Sequence, residues 1–303
     1  MQYQTAITTC AALAAFSGMA FADIQLPVGI LNTDSGVKTF TTQFNTGYAT
    51  KYVCRGLAFQ DSASDNTIPM ELVSAYKINN KYSLFAGLKY QWLTDNGFDH
   101  DRAGICDEGS AILGMSRRFS KFTTAAVSYQ FVHGGVPGTF NIHRAETPYF
   151  PAFSHTHPEE HSFVLDIHHD LSKGLENFFW DCRLQYTFRW MSGWWLTNTL
   201  GYKYDFNNST SVIVAGTWNA TYGYFESNSL NANGTQSISL TTSVPYKATE
   251  KLTVTPFVEA IWLGNGGTTA NHRGASARFP HREQTKVYRN FTFVAGVGVT
   301  YSF

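Results

Sequence analysis

The chain has 303 residues with equal numbers of acidic and basic side chains, so the basic excess of a nucleic-acid footprint is missing. Charged residues make up only 15%, against roughly 25% in ordinary soluble domains, while aromatic residues reach 16%. A surface this short of charge and this rich in rings argues against a typical water-soluble protein.

Residues 1–22, MQYQTAITTCAALAAFSGMAFA, read as a secretory signal peptide: a small-residue apolar run leads to Ala20-Phe21-Ala22, an A-x-A cleavage pattern before Asp23. The segment has no Lys or Arg, so its terminal amine alone would supply the positive end. Cleavage there leaves Cys54, Cys106 and Cys182, an odd number that permits at most one intramolecular disulfide. No later stretch reaches the roughly 20 apolar residues of a membrane-spanning helix. A membrane reading must therefore use strands. Residues 23–40 are expected to form a short periplasmic segment and residues 41–303 the barrel.

Beyond residue 40 the chain alternates apolar and polar residues with period two. The pattern predicts strands at about 41–53, 67–77, 82–94, 108–118, 122–133, 161–170, 178–191, 194–206, 210–222, 235–246, 252–263 and 288–303. Most are near or above the 9 to 11 residues or so that cross a bilayer at a tilt. Tight connections follow the even-numbered strands, at Asn79-Asn80, Ser120-Lys121, Leu171, Asn207-Asn208 and Lys247. Long segments follow most odd-numbered ones, with a Ser192-Gly193 turn as the exception. Short turns on one rim and long loops on the other are the pattern of an up-and-down antiparallel transmembrane β-barrel, here of about twelve strands and with both termini periplasmic. The fold expected is all-β and the location the bacterial outer membrane.

Aromatic residues fall at strand ends. Trp92, Trp190, Trp194, Trp218 and Trp262 lie towards the long loops, and Phe119, Phe122, Trp180, Phe206, Tyr246, Tyr301 and Phe303 towards the short turns. These are the two girdles of a barrel settled at the membrane interfaces.

In NFTFVAGVGVTYSF, Phe291, Phe293, Ala295, Val297, Val299, Tyr301 and Phe303 share one face. The ending, with Tyr301 and Phe303 as its last aromatics, resembles the C-terminal signal of bacterial outer-membrane proteins, which implies recognition by the barrel-assembly machinery. The stretch GYATKYVCRGLAF, carrying Arg55-Gly56, resembles the opening strand of TorF-type porins.

The inward-facing register contains Lys51, Arg55, Glu71, Lys89, Arg118, Asp166, Asp181, Arg183, Arg189, Lys203, Asp205 and Glu259, and with them Gln91, Gln130, His168 and Gln185. Buried charge must be paired or hydrated. A water-filled channel and a lumen closed by salt bridges both satisfy that rule. A barrel of this strand number has a backbone radius of about 12 Å, so side chains leave a narrow interior in either case. Arg55 suits a constriction or a strand rim.

The third loop carries His143, His155, His157 and His161 near Glu159 and Glu160. Imidazoles so spaced can ligate zinc or copper, with His155, His157 and His161 as the ligands, but the tract also suits a solvated lid and we assign no metal. Cys54 and Cys106 fall near the long-loop rim, where a disulfide would tie two loops. The serine motif of barrel phospholipases is not evident, and Asp99, His100 and Asp101 are poor material for a rim protease, so no enzyme is expected and no cofactor implied. The expectation is a porin-like passive channel for small hydrophilic solutes in contact with outer-membrane lipid. The alternative is a non-conducting structural or surface-interaction barrel.

Overall fold

A computed structural model describes residues 39–50, 53–54, 57–58, 66–93, 108–134, 159–189, 191–223, 233–264 and 291–303. These form a closed barrel of 12 antiparallel strands, and no helix occurs among the described residues. The strands are β1 Phe40–Ala49, β2 Thr67–Lys77, β3 Tyr82–Leu93, β4 Glu108–Arg118, β5 Thr123–Gly134 and β6 Glu159–Asp170. They continue as β7 Phe178–Arg189, β8 Met191–Asp205, β9 Ser211–Tyr222, β10 Gly234–Ser243, β11 Leu252–Leu263 and β12 Phe291–Ser302.

Each strand pairs with its neighbours in sequence, and β12 returns to β1 through a ladder running from Gln43↔Ser302 to Ala49↔Gly296. The Phe303 amide donates to the Thr42 carbonyl at 3.0 Å, so this residue is tied to the first strand. Closure matters because an open edge in hydrocarbon would leave backbone groups without partners.

Alternation sets the two faces. In β2 the burial pattern runs strictly in and out from Glu71 to Lys77, with Leu72 and Tyr76 exposed and Glu71, Val73, Ala75 and Lys77 buried. Leu88, Leu113, Val127, Phe163, Leu200, Ile238, Val258 and Phe293 likewise stand on the outside. Large apolar side chains on the convex face and polar ones within reverse the order of a soluble barrel.

The short turns are built by side-chain caps. Asn79 Oδ1 accepts from the amides of Lys81 and Tyr82, Ser120 Oγ from Phe122 and Thr123, Asn207 Oδ1 from Ser209 and Thr210, and Thr249 Oγ1 from Lys251 and Leu252. Asn and Ser favour such turns because a short polar side chain replaces the missing ladder partner.

Three details differ from the sequence expectation. The β7–β8 ladder runs up to the Met191–Arg189 pair, so Ser192 and Gly193 are not the turn: Ser192 pairs with Phe188 and Gly193 with Thr187. Tightening the turn adds these pairs to the ladder and so satisfies more backbone groups. The tenth strand breaks after Ser243 and resumes as Tyr246-Lys247, because Pro245 has no amide to donate. Strand β6 begins at Glu159, two residues before the expected 161.

Inside the wall, phenylalanine rings lie over glycines of the next strand. Phe85 faces Gly114 and Phe179 faces Gly201 in register. A Cβ built on Gly201 would lie 2.0 Å from Phe179 Cζ, and one on Gly114 would lie 2.4 Å from Phe85 Cζ. Only glycine leaves space for the rings, which pack inward with Val73, Ala75, Ile112 and Ala126 in one cluster and with Ile213 and Ala215 in another.

The expectations for residues 1–22 and for most of 23–40 fall outside the described residues, as do Trp190, Lys51, Arg55 and Cys106.

Candidate pore lining

Beside the apolar clusters the inner wall is mostly polar, and on β6 and β7 its charges are matched across adjacent strands. On β6 and β7, Asp166 stands opposite Arg183 and His168 opposite Asp181. Arg183 Nε donates to Asp166 Oδ1 at 2.7 Å and its Nη2 to Oδ2 at 3.1 Å, a two-pronged pair that fixes the guanidinium plane. His168 Nδ1 and Asp181 Oδ1 are 2.6 Å apart, two residues along the same ladder. Nearer the long-loop end, Glu160 Oε1 accepts from Ser162, Gln185 and Thr187.

A second network crosses β12, β1, β2 and β3. Thr300 Oγ1 donates to Asn45 Oδ1 at 2.9 Å, Gln43 Nε2 donates to the same oxygen at 2.6 Å, and Asn45 Nδ2 donates to Glu71 Oε1 at 2.9 Å. Lys89 stands opposite Glu71 on β3. β2 and β7 lie on different sides of the barrel, so the two networks stand on different parts of the inner wall. Glu71, Lys89, Asp166 and Arg183 are each 4–6% exposed.

Above the short-turn rim, the remaining arc, β8 to β11, carries mostly hydroxyls and amides. Thr197 donates to Asn219 at 2.7 Å, Asn219 to Ser237 at 3.1 Å and Gln236 to Thr221 at 2.6 Å, while Thr199 and Thr217 meet at 2.9 Å. Both Gln236 and Ser237 turn inward because the β9–β10 register shifts at Asn219/Ala220. Glu259, buried on β11, stands opposite Thr241.

The other expected lining residues take different places. Lys203 and Asp205 meet at 3.0 Å near the short-turn rim, where Asp205 is exposed. Arg118 sits at the same rim and donates to the Ser120 carbonyl. Arg189 closes β7, and its side chain lies outside the described residues, as do Lys51 and Arg55 entirely. Tyr301 and Phe303 are exposed on the outer face, their rings 5.1 Å apart.

His161 faces outward on β6, bonded to the Tyr129 hydroxyl and packed against Phe131 and Phe188. No grouping of metal-ligating side chains occurs among the described residues, and His155 and His157 lie outside them. Cys54 is on a two-residue ladder with Leu57, and its pairing with Cys106 falls outside the described residues. Cys182 is a free thiol on the outer face of β7.

Several inward residues escaped the sequence reading. Alternation alone leaves Glu160 in the loop, because β6 starts earlier than that pattern suggests. Trp195 is 2% exposed and points inward while Trp194 points out, a distinction that adjacent tryptophans reveal only when parity is carried from Arg183 and Gln185 across the turn. Asn45 could have been found by the same count from Gln43.

Neither a protein-family model nor a curated relative matches the sequence, so the TorF-type resemblance rests on residues 47–59 alone. Solved structures resemble the chain in outline. The "KdgM porin" is 10% identical with a TM-score of 0.43, over 87% of this chain and 99% of that one. The "COG4313 outer membrane channel from Pseudomonas putida F1" is 8% identical with a TM-score of 0.48, over 90% and 98%. The "CymD monoaromatic hydrocarbon channel" is 13% identical with a TM-score of 0.45, over 87% and 88%. These are general likenesses between barrels, and the function proposed for this chain rests on its own geometry.

Proposed function

We propose that this chain is a porin-like channel of the bacterial outer membrane, admitting small hydrophilic solutes by passive diffusion. The observation that carries the reading is a closed barrel whose outside is apolar and whose inside, between small apolar clusters, is lined by paired charges, hydroxyls and amides. Such a wall has no use in a dry interior, where each buried ion costs several kcal/mol or so, and suits one that water enters. Glu71, Lys89, Asp166 and Arg183 form the narrow belt, with both signs facing the path, so discrimination by charge is weak and by size strong. Glu259 and the hydroxyl arc offer hydrogen bonds to neutral solutes.

Residues 1–22 serve as the export signal, residues 23–40 as a short periplasmic lead, and Tyr301 and Phe303 as the assembly signal. The test is single-channel recording of the purified protein in a planar bilayer under a salt gradient. Discrete steps with a small reversal potential support the channel. A folded protein that gives no steps would favour the second reading, a non-conducting structural barrel, which the tight burial of the inner side chains also suits.

A further inference from the structure

The short-turn rim is uneven in charge. The β2–β3 and β4–β5 turns with their flanking residues, 77–82 and 117–123, contain Lys77, Lys81, Arg117, Arg118 and Lys121 and no acid. The other turns mix signs: Asp170 and Glu176 with Lys173, Asp205 with Lys203, and Glu250 with Lys247 and Lys251.

The basic turns are joined. The Arg118 amide donates to the Lys81 carbonyl at 2.8 Å, and Arg117 stands opposite Tyr82 in the ladder. Arg117 is exposed on the outer face, its Cζ 4.7 Å from the Phe119 ring centre and 5.5 Å from that of Tyr82. Lys121 Nζ lies 4.7 Å from the Phe122 ring centre, and Lys81 is exposed beside them. A guanidinium laid over rings is held in place yet keeps its N–H edge directed outward, the geometry that receives two oxygens of a phosphate. Directly along the wall from this edge, Leu84, Met115 and Leu113 form an exposed apolar strip, with Leu84 opposite Met115. The asymmetry is therefore an anchored cationic patch at the interface with an acyl-sized apolar track above it.

We infer that this face binds an anionic phospholipid, its phosphate held by Arg117 and Lys81 with Lys121 beside them, and an acyl chain lying along Leu84, Met115 and Leu113. The inference rests on the membrane-barrel reading and is independent of conduction. Asp170 bounds the patch on its far side, with its carboxylate engaged by the Ser172 amide at 2.9 Å.

The test is native mass spectrometry of the purified full chain in non-ionic detergent, with phosphatidylglycerol or phosphatidylcholine added. Wild type should retain phosphatidylglycerol over phosphatidylcholine. Arg117→Gln/Lys81→Gln should lower that retention about fivefold per charge removed, whereas Lys173→Gln/Lys251→Gln, on other turns, should leave it unchanged. Equal retention by both double variants, equal retention of the two lipids, or displacement of phosphatidylglycerol by inorganic phosphate would each overturn the site. If the Arg117 double variant does not fold, as read by its mobility on an unboiled gel, Lys81→Gln alone in its exposed turn must still reduce retention. No reduction there also overturns it. Lipid retention is read without current, so a barrel that fails to conduct leaves this result intact.

Discussion

Arg183 gives two hydrogen bonds to Asp166, while Lys89 stands opposite Glu71, so each carboxylate of the belt has its own cation. Replacing Arg183 removes a positive charge and leaves Asp166 unbalanced on the wall. Arg183→Gln should therefore shift the reversal potential in a salt gradient towards cation selectivity, and Asp166→Asn should shift it the other way. Identical potentials in both variants would place the belt outside the conduction path. The outer face responds to a different physics. Leu184 stands on the lipid side of β7, and Thr187, fully buried, on the inner side. Leu184→Arg should cost about 2 to 4 kcal/mol of folding stability near mid-membrane, while Thr187→Arg, close to the Glu160 carboxylate, should be better tolerated. Denaturant unfolding of both variants in lipid vesicles checks the difference.

At the scale of the element, β12 closes the barrel. Its outward residues Phe293, Ala295, Val297, Tyr301 and Phe303 are exposed, whereas Val294 and Thr300 are buried. It pairs with β11 along one edge and with β1 along the other. Deleting residues 291–303 should abolish the heat-modifiable folded species on an unboiled gel, because both neighbouring strands would then present open edges to hydrocarbon. Deleting Phe303 alone removes one terminal contact to β1 and should slow insertion into membranes without preventing it, as followed by the rate at which the folded band appears. A truncated chain that still folded and conducted would mean that another strand closes the sheet.

At the scale of the whole molecule, the short turns are expected to face the periplasm, as in barrels with short turns on one rim and long loops on the other. Trp92, Trp194, Trp218 and Trp262 are exposed at the long-loop end, and Phe119, Phe206, Tyr246 and Phe303 at the other. That orientation requires export, and the mature protein recovered from membranes should begin at Asp23. Intact mass measurement decides it, and a mass that includes residues 1–22 in membrane-inserted protein would remove the export reading.

Strand positions, strand number and the lipid-facing side of each strand are legible in the sequence, since period-two alternation is a local property and the bilayer demands it along every strand. Residues 178–189 show this most plainly, with Leu184 and Phe188 outward and Arg183, Gln185 and Thr187 inward in the structure as in the alternation. Local pattern also places turn formers such as Asn79 and Asn207 where side-chain caps are needed. Partnership becomes visible only in the folded barrel: which inward charges meet, where a ring finds a glycine, and where a ladder slips. Asp166 and Arg183 lie 17 positions apart and Asn45 and Thr300 lie 255 apart. Nothing in either segment names the other. Those pairs exist because closing the sheet sets the strand order and stagger, and these bring the side chains to one height on the wall.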